Sequence, residues 1–189
     1  LDEIIDKNIL CLNSIVTPRK DLPLFNGGTE NNLDYLYKYI EGLGYASKKY
    51  KSNVGGLQVF KGKKNSLYFD TGAPPDKNLS SFYQSGPLSF EYFMGNEKIV
   101  TNCGFGKNIS KKAMLLSRLT SAQSTLTIND NSVVKFERNK SLNKAFGNSI
   151  KESFKTTDFE ITEDEKSLTM NASHNGYEKM FGYKHKRTI

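Results

Sequence analysis

A chain of 189 residues, 37% hydrophobic and 25% charged, with 10 Tyr and 12 Phe, can bury a core without staples and is too aromatic for wholesale disorder. No apolar run approaches the roughly 20 residues of a membrane-spanning helix, and no heptad array or solenoid repeat is present. Two cysteines, Cys11 and Cys103, are too few for a disulfide scaffold and lack the spacing of a zinc knuckle, and the net charge of +7 suits either a solubilising surface or a polyanionic partner.

Residues 1–16 place Leu1, Ile4, Ile5, Ile9 and Leu12 on one stripe, the period of a helix, and Pro18 stops that run. Leu1 is not a start methionine, so the chain is read as an excerpt or a processed product. A turn-rich connection, LPLFNGG at 22–28, leads to a second helix over 30–41. Its stripe is Leu33, Leu36, Tyr37 and Ile40, Thr29 is its expected N-cap, and Gly42 and Gly44 are stop signals. After Gly44 the pattern changes to short alternating runs punctuated by Gly, Asn, Asp and Pro. Strands are expected at 57–60, 66–70, 88–93, 98–102, 124–128, 133–137, 159–162, 167–172 and 182–188. Turns at 94–97, 129–131 and 163–165 join three pairs of them as hairpins. This predicts a mainly β protein: an antiparallel β-sandwich at 47–189 preceded by a helical segment at 1–46.

The charge is unevenly spread. Lys48, Lys49, Lys51, Lys61, Lys63 and Lys64 form one basic group, with no acid between Lys48 and Lys64. Lys107, Lys111, Lys112 and Arg118 form a second, and Lys184, Lys186 and Arg187 a third. An acidic polysaccharide and a nucleic acid are the two partners such groups suit. Basic residues interleaved with Tyr and Phe are compatible with single strands, although no RNA-reading signature is present. Phosphate loops, nucleophile elbows and zinc-peptidase helices are absent. The two histidines, His174 and His185, flank an expected turn at 175–177, so adjacent strands can bring them to one sheet edge.

An ordered series of short stretches carries more information: YFDTGAPP at 68–75, SGPLSFE at 85–91, IVTNCG at 99–104, RLTSAQSTL at 118–126, ASHNGY at 172–177 and HKR at 185–187. This order and spacing resembles the heparinase II/III-like polysaccharide lyases, in particular the β-sandwich of bacterial members. The stretch 21–26 resembles the junction leaving the helical domain. The resemblance implies an enzyme in which an incomplete α/α toroid precedes the sandwich and an acidic polysaccharide lies between them. It also implies β-elimination: a base removes the C5 proton of a uronic acid and an acid protonates the departing glycosidic oxygen. By resemblance the toroid supplies most catalytic residues, the sandwich adds a histidine, and some members hold zinc with His, Asp and His. The setting implied is the periplasm or cytoplasm of a bacterium.

This sequence departs from that pattern. Gln84, Asn102 and Gln123 stand where the resemblance places the zinc-binding His, Asp and His. Neutral amides are poor zinc ligands, so no metal and no other cofactor is expected, and the three amides are expected to form a hydrogen-bond cluster holding strands or a sugar hydroxyl. The toroid is expected upstream in the same parent chain, and the excerpt alone is not expected to be an efficient lyase. No catalytic residue is assigned. The substrate-binding candidates are Gln84, Asn102, Arg118, Gln123, His174 and Tyr177. Arg118 suits a forked contact to a uronate or an internal carboxylate such as Glu91, and Tyr177 suits stacking on a sugar ring or plain packing. Two other readings stay open: a non-catalytic carbohydrate-binding or structural sandwich module, and a nucleic-acid-binding β-domain.

Overall fold

The computed structural model describes residues 2–45, 49–139, 141–142, 148–165 and 167–189; Leu1 and the expected boundary residues 46–48 lie outside them. Two helices come first, α1 (Asp2–Ile15) and α2 (Asp34–Gly42). Of the α1 stripe, Ile9 is buried, Ile5 and Leu12 are half-buried and Ile4 is exposed. The second helix starts later than expected. Thr29 does not cap it; the Asn32 side-chain Oδ1 accepts from the Asp34 N–H at 2.7 Å, and Thr29 instead accepts from the Asn31 amide.

Five strands then form one antiparallel sheet in sequence order: β1 (Asn53–Val54), β2 (Leu57–Lys61), β3 (Asn65–Asp70), β4 (Phe90–Met94) and β5 (Glu97–Val100). A second antiparallel sheet holds β6 (Thr156–Glu163), β7 (Leu168–His174) and β8 (His185–Thr188). Side chains alternate across the first sheet. Phe60, Leu67, Phe69, Phe90 and Tyr92 share one face and pack with Leu88 against Met170 and Ala172 of the second sheet, which makes the sandwich core. Val59, Tyr68 and Phe93 share the opposite face and pack on Phe25 of the interhelical connection. The first sheet is therefore covered on both sides, and β3 is buried from Ser66 to Asp70. The Lys61 ammonium closes this second interface by donating to the carbonyls of Asn13 and Val16 at the end of α1, and the Tyr68 hydroxyl also donates to Val16, at 2.7 Å.

Hairpins form at 94–97 and around 163–165 as expected. Two expected strands, 124–128 and 133–137, are not strands, and the turn at 129–131 closes only an isolated bridge between Ile128 and Asn131. Side-chain hydroxyls do there what a neighbouring strand would do. The N–H groups of Val133 and Val134 donate to the hydroxyls of Thr120 and Ser85, each at 2.9 Å. Phe90 N–H donates to the Ser124 hydroxyl at 2.9 Å. A short helix, α3 (Lys111–Leu116), precedes this region, and another, α4 (Glu178–Phe181), occupies the connection from β7 to β8. Gly182, at φ 75°, ends α4, so the last strand starts at His185 rather than 182.

Candidate functional site

The three amide positions sit in one hydrogen-bonded region. Gln84 Nε2 donates to Ser117 O at 2.8 Å and to Gly104 O at 3.0 Å, and its Oε1 accepts from Gly27 N at 3.0 Å. Gln123 Nε2 donates to the same Ser117 oxygen, also at 2.8 Å. Asn102 holds the next residue: its Oδ1 accepts from the N–H of Ser124 at 2.9 Å and lies 3.1 Å from the Ser124 hydroxyl. The backbone N–H of Asn102 donates to Glu91 Oε1 at 2.9 Å, which the Thr101 hydroxyl also reaches. Burial pushes the Glu91 carboxyl up from its ordinary value, against the pull of those donors. Gln84 and Gln123 thus meet on one carbonyl; Asn102 joins them through its link to residue 124.

None of the six binding candidates offers its side chain to solvent: all are buried. Arg118, 1% exposed, donates from Nε to Tyr83 O, from Nη1 to Asn148 O and from Nη2 to Ser80 O. Each of its three nitrogens is thus turned to a backbone carbonyl rather than to Glu91. Burial pulls its guanidinium down to about 10. The Tyr177 hydroxyl lies 3.0 Å from Leu126 O and 3.1 Å from Asn131 O, pinning the loop between them, and its ring packs against His174 and Phe181. No sugar ring can lie on it there.

His174 and His185 face each other as register partners of β7 and β8, with Nε2 of the first 3.0 Å from Nδ1 of the second. Gly176 N–H donates to His174 Nδ1 at 3.1 Å. That nitrogen is therefore an acceptor, the His174 proton sits on Nε2 and points at His185, and the His185 proton sits on its own Nε2. Desolvation and the neighbouring positive groups pull the pair down to about 3 and about 4. Both rings are neutral at pH 7 and braced inside the sandwich.

Of the surface clefts, one of about 310 Å³ that the sequence did not announce is lined by Asn26, Gly27, Thr29, Phe82, Phe105, Lys107 and Asn108, beside a larger one of about 820 Å³ elsewhere, between Leu115 and Lys151. The smaller cleft lies where the connection between the first two helices meets loops of the sandwich. Phe82 is 49% exposed, stands edge-on to Phe105, and has the Lys107 ammonium 4.8 Å from its ring centre. Gln84 is tied to two residues of this lining: its Oε1 accepts from Gly27 N, and its backbone N–H donates to Asn26 Oδ1 at 3.3 Å. Asn26 also reaches Asp70 Oδ2 at 3.4 Å, a carboxyl that burial pushes up to about 6. The only hint in the sequence was that Phe82 lies two residues before Gln84 and that Lys107 belongs to the second basic group. Among the described residues no His, Tyr or carboxylate lines this cleft.

The amides do not fit a zinc ion, since the Gln84 oxygen is turned to Gly27, the Asn102 oxygen to Ser124, and the nitrogens of both glutamines point at Ser117 O. Among the described residues no three His, Cys, Asp or Glu side chains converge.

A comparison with curated proteins gives no match. A family model described as heparinase II/III-like, C-terminal, matches residues 48–189. The chain belongs to the heparinase II/III-like family. Among solved structures it is similar to the heparinase III BT4657 gene product, at TM-score 0.72 and 14% identity over 99% of this chain and 30% of that one. It is also similar to the heparan sulfate lyase HepC from Pedobacter heparinus, at TM-score 0.66 and 15% identity over 100% of this chain and 30% of that one. A mutant of the same lyase gives TM-score 0.64 at 14% identity, with the same coverage. The chain thus spans about a third of the length of these heparinase-type structures and shares their fold over that span. No described helix is long and apolar enough to cross a membrane.

Proposed function

We propose that this chain is the sandwich portion of a lyase that cleaves uronic-acid-containing polysaccharide by β-elimination, with residues 1–46 belonging to a preceding helical domain of the same protein. The observation that carries this reading is the cleft at Phe82 and Lys107, placed where the helical connection meets the sandwich. A uronate chain needs a cation for its carboxylate, amides and hydroxyls for its hydroxyls, and an apolar face for its ring. Lys107, the Asn26 and Asn108 amides with Thr29, and Phe82 are of those types. Elimination also needs a base near C5 and an acid at the leaving oxygen. The cleft lining offers no His, Tyr or carboxylate for either role, which supports a division of labour in which a helical domain brings them and this chain alone is inactive.

The same lack of acid and base favours one other reading, a carbohydrate-binding module without lyase chemistry. One experiment separates the two. The protein joined to its helical domain is incubated with a panel of uronic-acid polymers, and the ultraviolet absorbance of unsaturated uronate is followed. Product release supports the lyase; binding without product on every polymer supports the module. Replacing Lys107 by Ala should weaken uronate-oligosaccharide binding about tenfold or more, the cost of one charge-assisted contact. Unchanged affinity would remove the cleft from the argument.

A further inference from the structure

We propose that the meeting of Gln84 and Gln123 on the Ser117 carbonyl is a metal-free brace with the reverse polarity of a cation site, so that the fold needs no divalent ion there. A cation site is a ring of lone pairs aimed at a shared centre. Here the centre is itself a lone pair, the Ser117 oxygen, and the groups aimed at it are N–H donors at 2.8 Å from both glutamines. The orientation of Gln84 follows from its partners. Gly104 and Ser117 offer it only acceptors and Gly27 only a donor, so Nε2 and Oε1 cannot be exchanged. Asn102 turns its oxygen to the Ser124 N–H. Cys103, whose thiol borders the brace, points its sulfur at Gly104 O at 3.1 Å.

A divalent ion entering this space would meet N–H groups. To accept it, both glutamines would have to turn, and Gln84 would then set its oxygen against two carbonyl oxygens. Meanwhile the brace already does the mechanical work of a shared ion. It ties Gly27 at the helical connection to residues 84, 104 and 117, and holds residue 123 against the same point. Residues 20 to 57 apart in sequence are thereby fixed without a ligand.

The polarity makes Gln84→Glu a test with opposite outcomes. In a brace centred on an acceptor the new carboxylate faces the oxygens of Ser117 and Gly104. Its Tm should fall by roughly 5–10 °C, the effect of orphaning buried groups in a chain of this size. Added zinc or calcium should not restore it, and the deficit should narrow at low pH as the carboxyl gains the proton it needs to donate. At a cation site the same change would raise metal affinity and stabilise the protein in zinc or calcium. The unaltered protein should carry far less than one equivalent of metal after purification and melt identically with and without EDTA. Stoichiometric metal, an EDTA-sensitive Tm, metal-dependent stabilisation of Gln84→Glu, or a variant that melts like the parent would each overturn the proposal. If the variant is insoluble, the metal content and EDTA response of the parent decide.

Discussion

The Arg118 guanidinium places its three nitrogens against the carbonyls of Tyr83, Asn148 and Ser80, with its plane 3.9 Å from the centre of the Phe136 ring. Those carbonyls belong to segments that no β-ladder joins, so the planar fork is what holds them in one place. A lysine cannot reproduce that fork: its ammonium is compact and its donors diverge from a single atom. Arg118→Lys should therefore cost about 2–4 kcal/mol of stability by leaving buried carbonyls unpaired. Urea denaturation reads that loss directly. Uronate affinity per folded molecule should stay unchanged, because the side chain has no route to solvent. A variant of full stability and reduced affinity would return Arg118 to the binding surface. The sequence marked Arg118 as special through its place in the RLTSAQSTL stretch. It could not say which way the side chain points, since a forked donor serves backbone carbonyls and a carboxylate equally well.

At the level of elements, the strands that alternation announced most clearly are present: β2, β3 and the β4–β5 hairpin with its two-residue loop at 95–96. Residues 124–128 and 133–137 alternate as well, yet neither is a strand. The N–H groups of Ser124, Val133 and Val134 are met by the side chains of Asn102, Thr120 and Ser85, and only an isolated bridge between Phe136 and Ile150, with Glu137 N–H on Ser149 O, stands for a ladder. Local periodicity reports only that one side is buried; it does not report who accepts the N–H groups. The Thr120 hydroxyl is central to this substitution, because it accepts from Val133 N at 2.9 Å and donates to Ser85 O at 2.7 Å. Thr120→Val keeps the shape and removes these two bonds together with the hydroxyl's 2.8 Å contact with Ser85 Oγ. It should cost about 1–3 kcal/mol through the orphaned Val133 N–H, and amide exchange at Val133 and Val134 should speed up well before global unfolding. If exchange there stays at the global rate, the hydroxyl is not what holds this segment.

Across the whole molecule, the order of short motifs was enough to place the chain in its family, and of the three amides expected to cluster Gln84 and Gln123 do meet, whereas Asn102 turns to Ser124. The cleft was not legible, because it is assembled from residues 26–29, 82 and 105–108, and no spacing rule relates those positions. The sequence placed the two histidines on adjacent strands, as the register has them, but could not show that they are buried, which makes stability depend on pH. Each ring is held neutral, at about 3 for His174 and about 4 for His185 against an ordinary 6.5. Below 6.5 the unfolded chain takes up protons that the folded chain refuses until about 4, so this pair costs stability as the pH falls through that window. Asp70 works in the opposite direction. Burial lifts it from 3.8 to about 6, so the folded state keeps a proton that the unfolded state has lost. Its contribution is full below 3.8 and disappears as the pH rises through 6. The upward shift of Glu91 has the same sign. Between about pH 4 and 6 the histidines and carboxyls therefore offset one another, and single replacements should expose each side. His185→Gln, which can still accept from His174, should flatten the acid loss by up to about 1.4 kcal/mol per pH unit below 6.5, one proton's worth of linkage. Asp70→Asn should steepen it, because the compensating proton is gone. Urea midpoints collected from pH 4 to 8 would show the two variants diverging on either side of the parent; two profiles parallel to the parent's would mean that neither the imidazole pair nor the buried carboxyl sets the acid response.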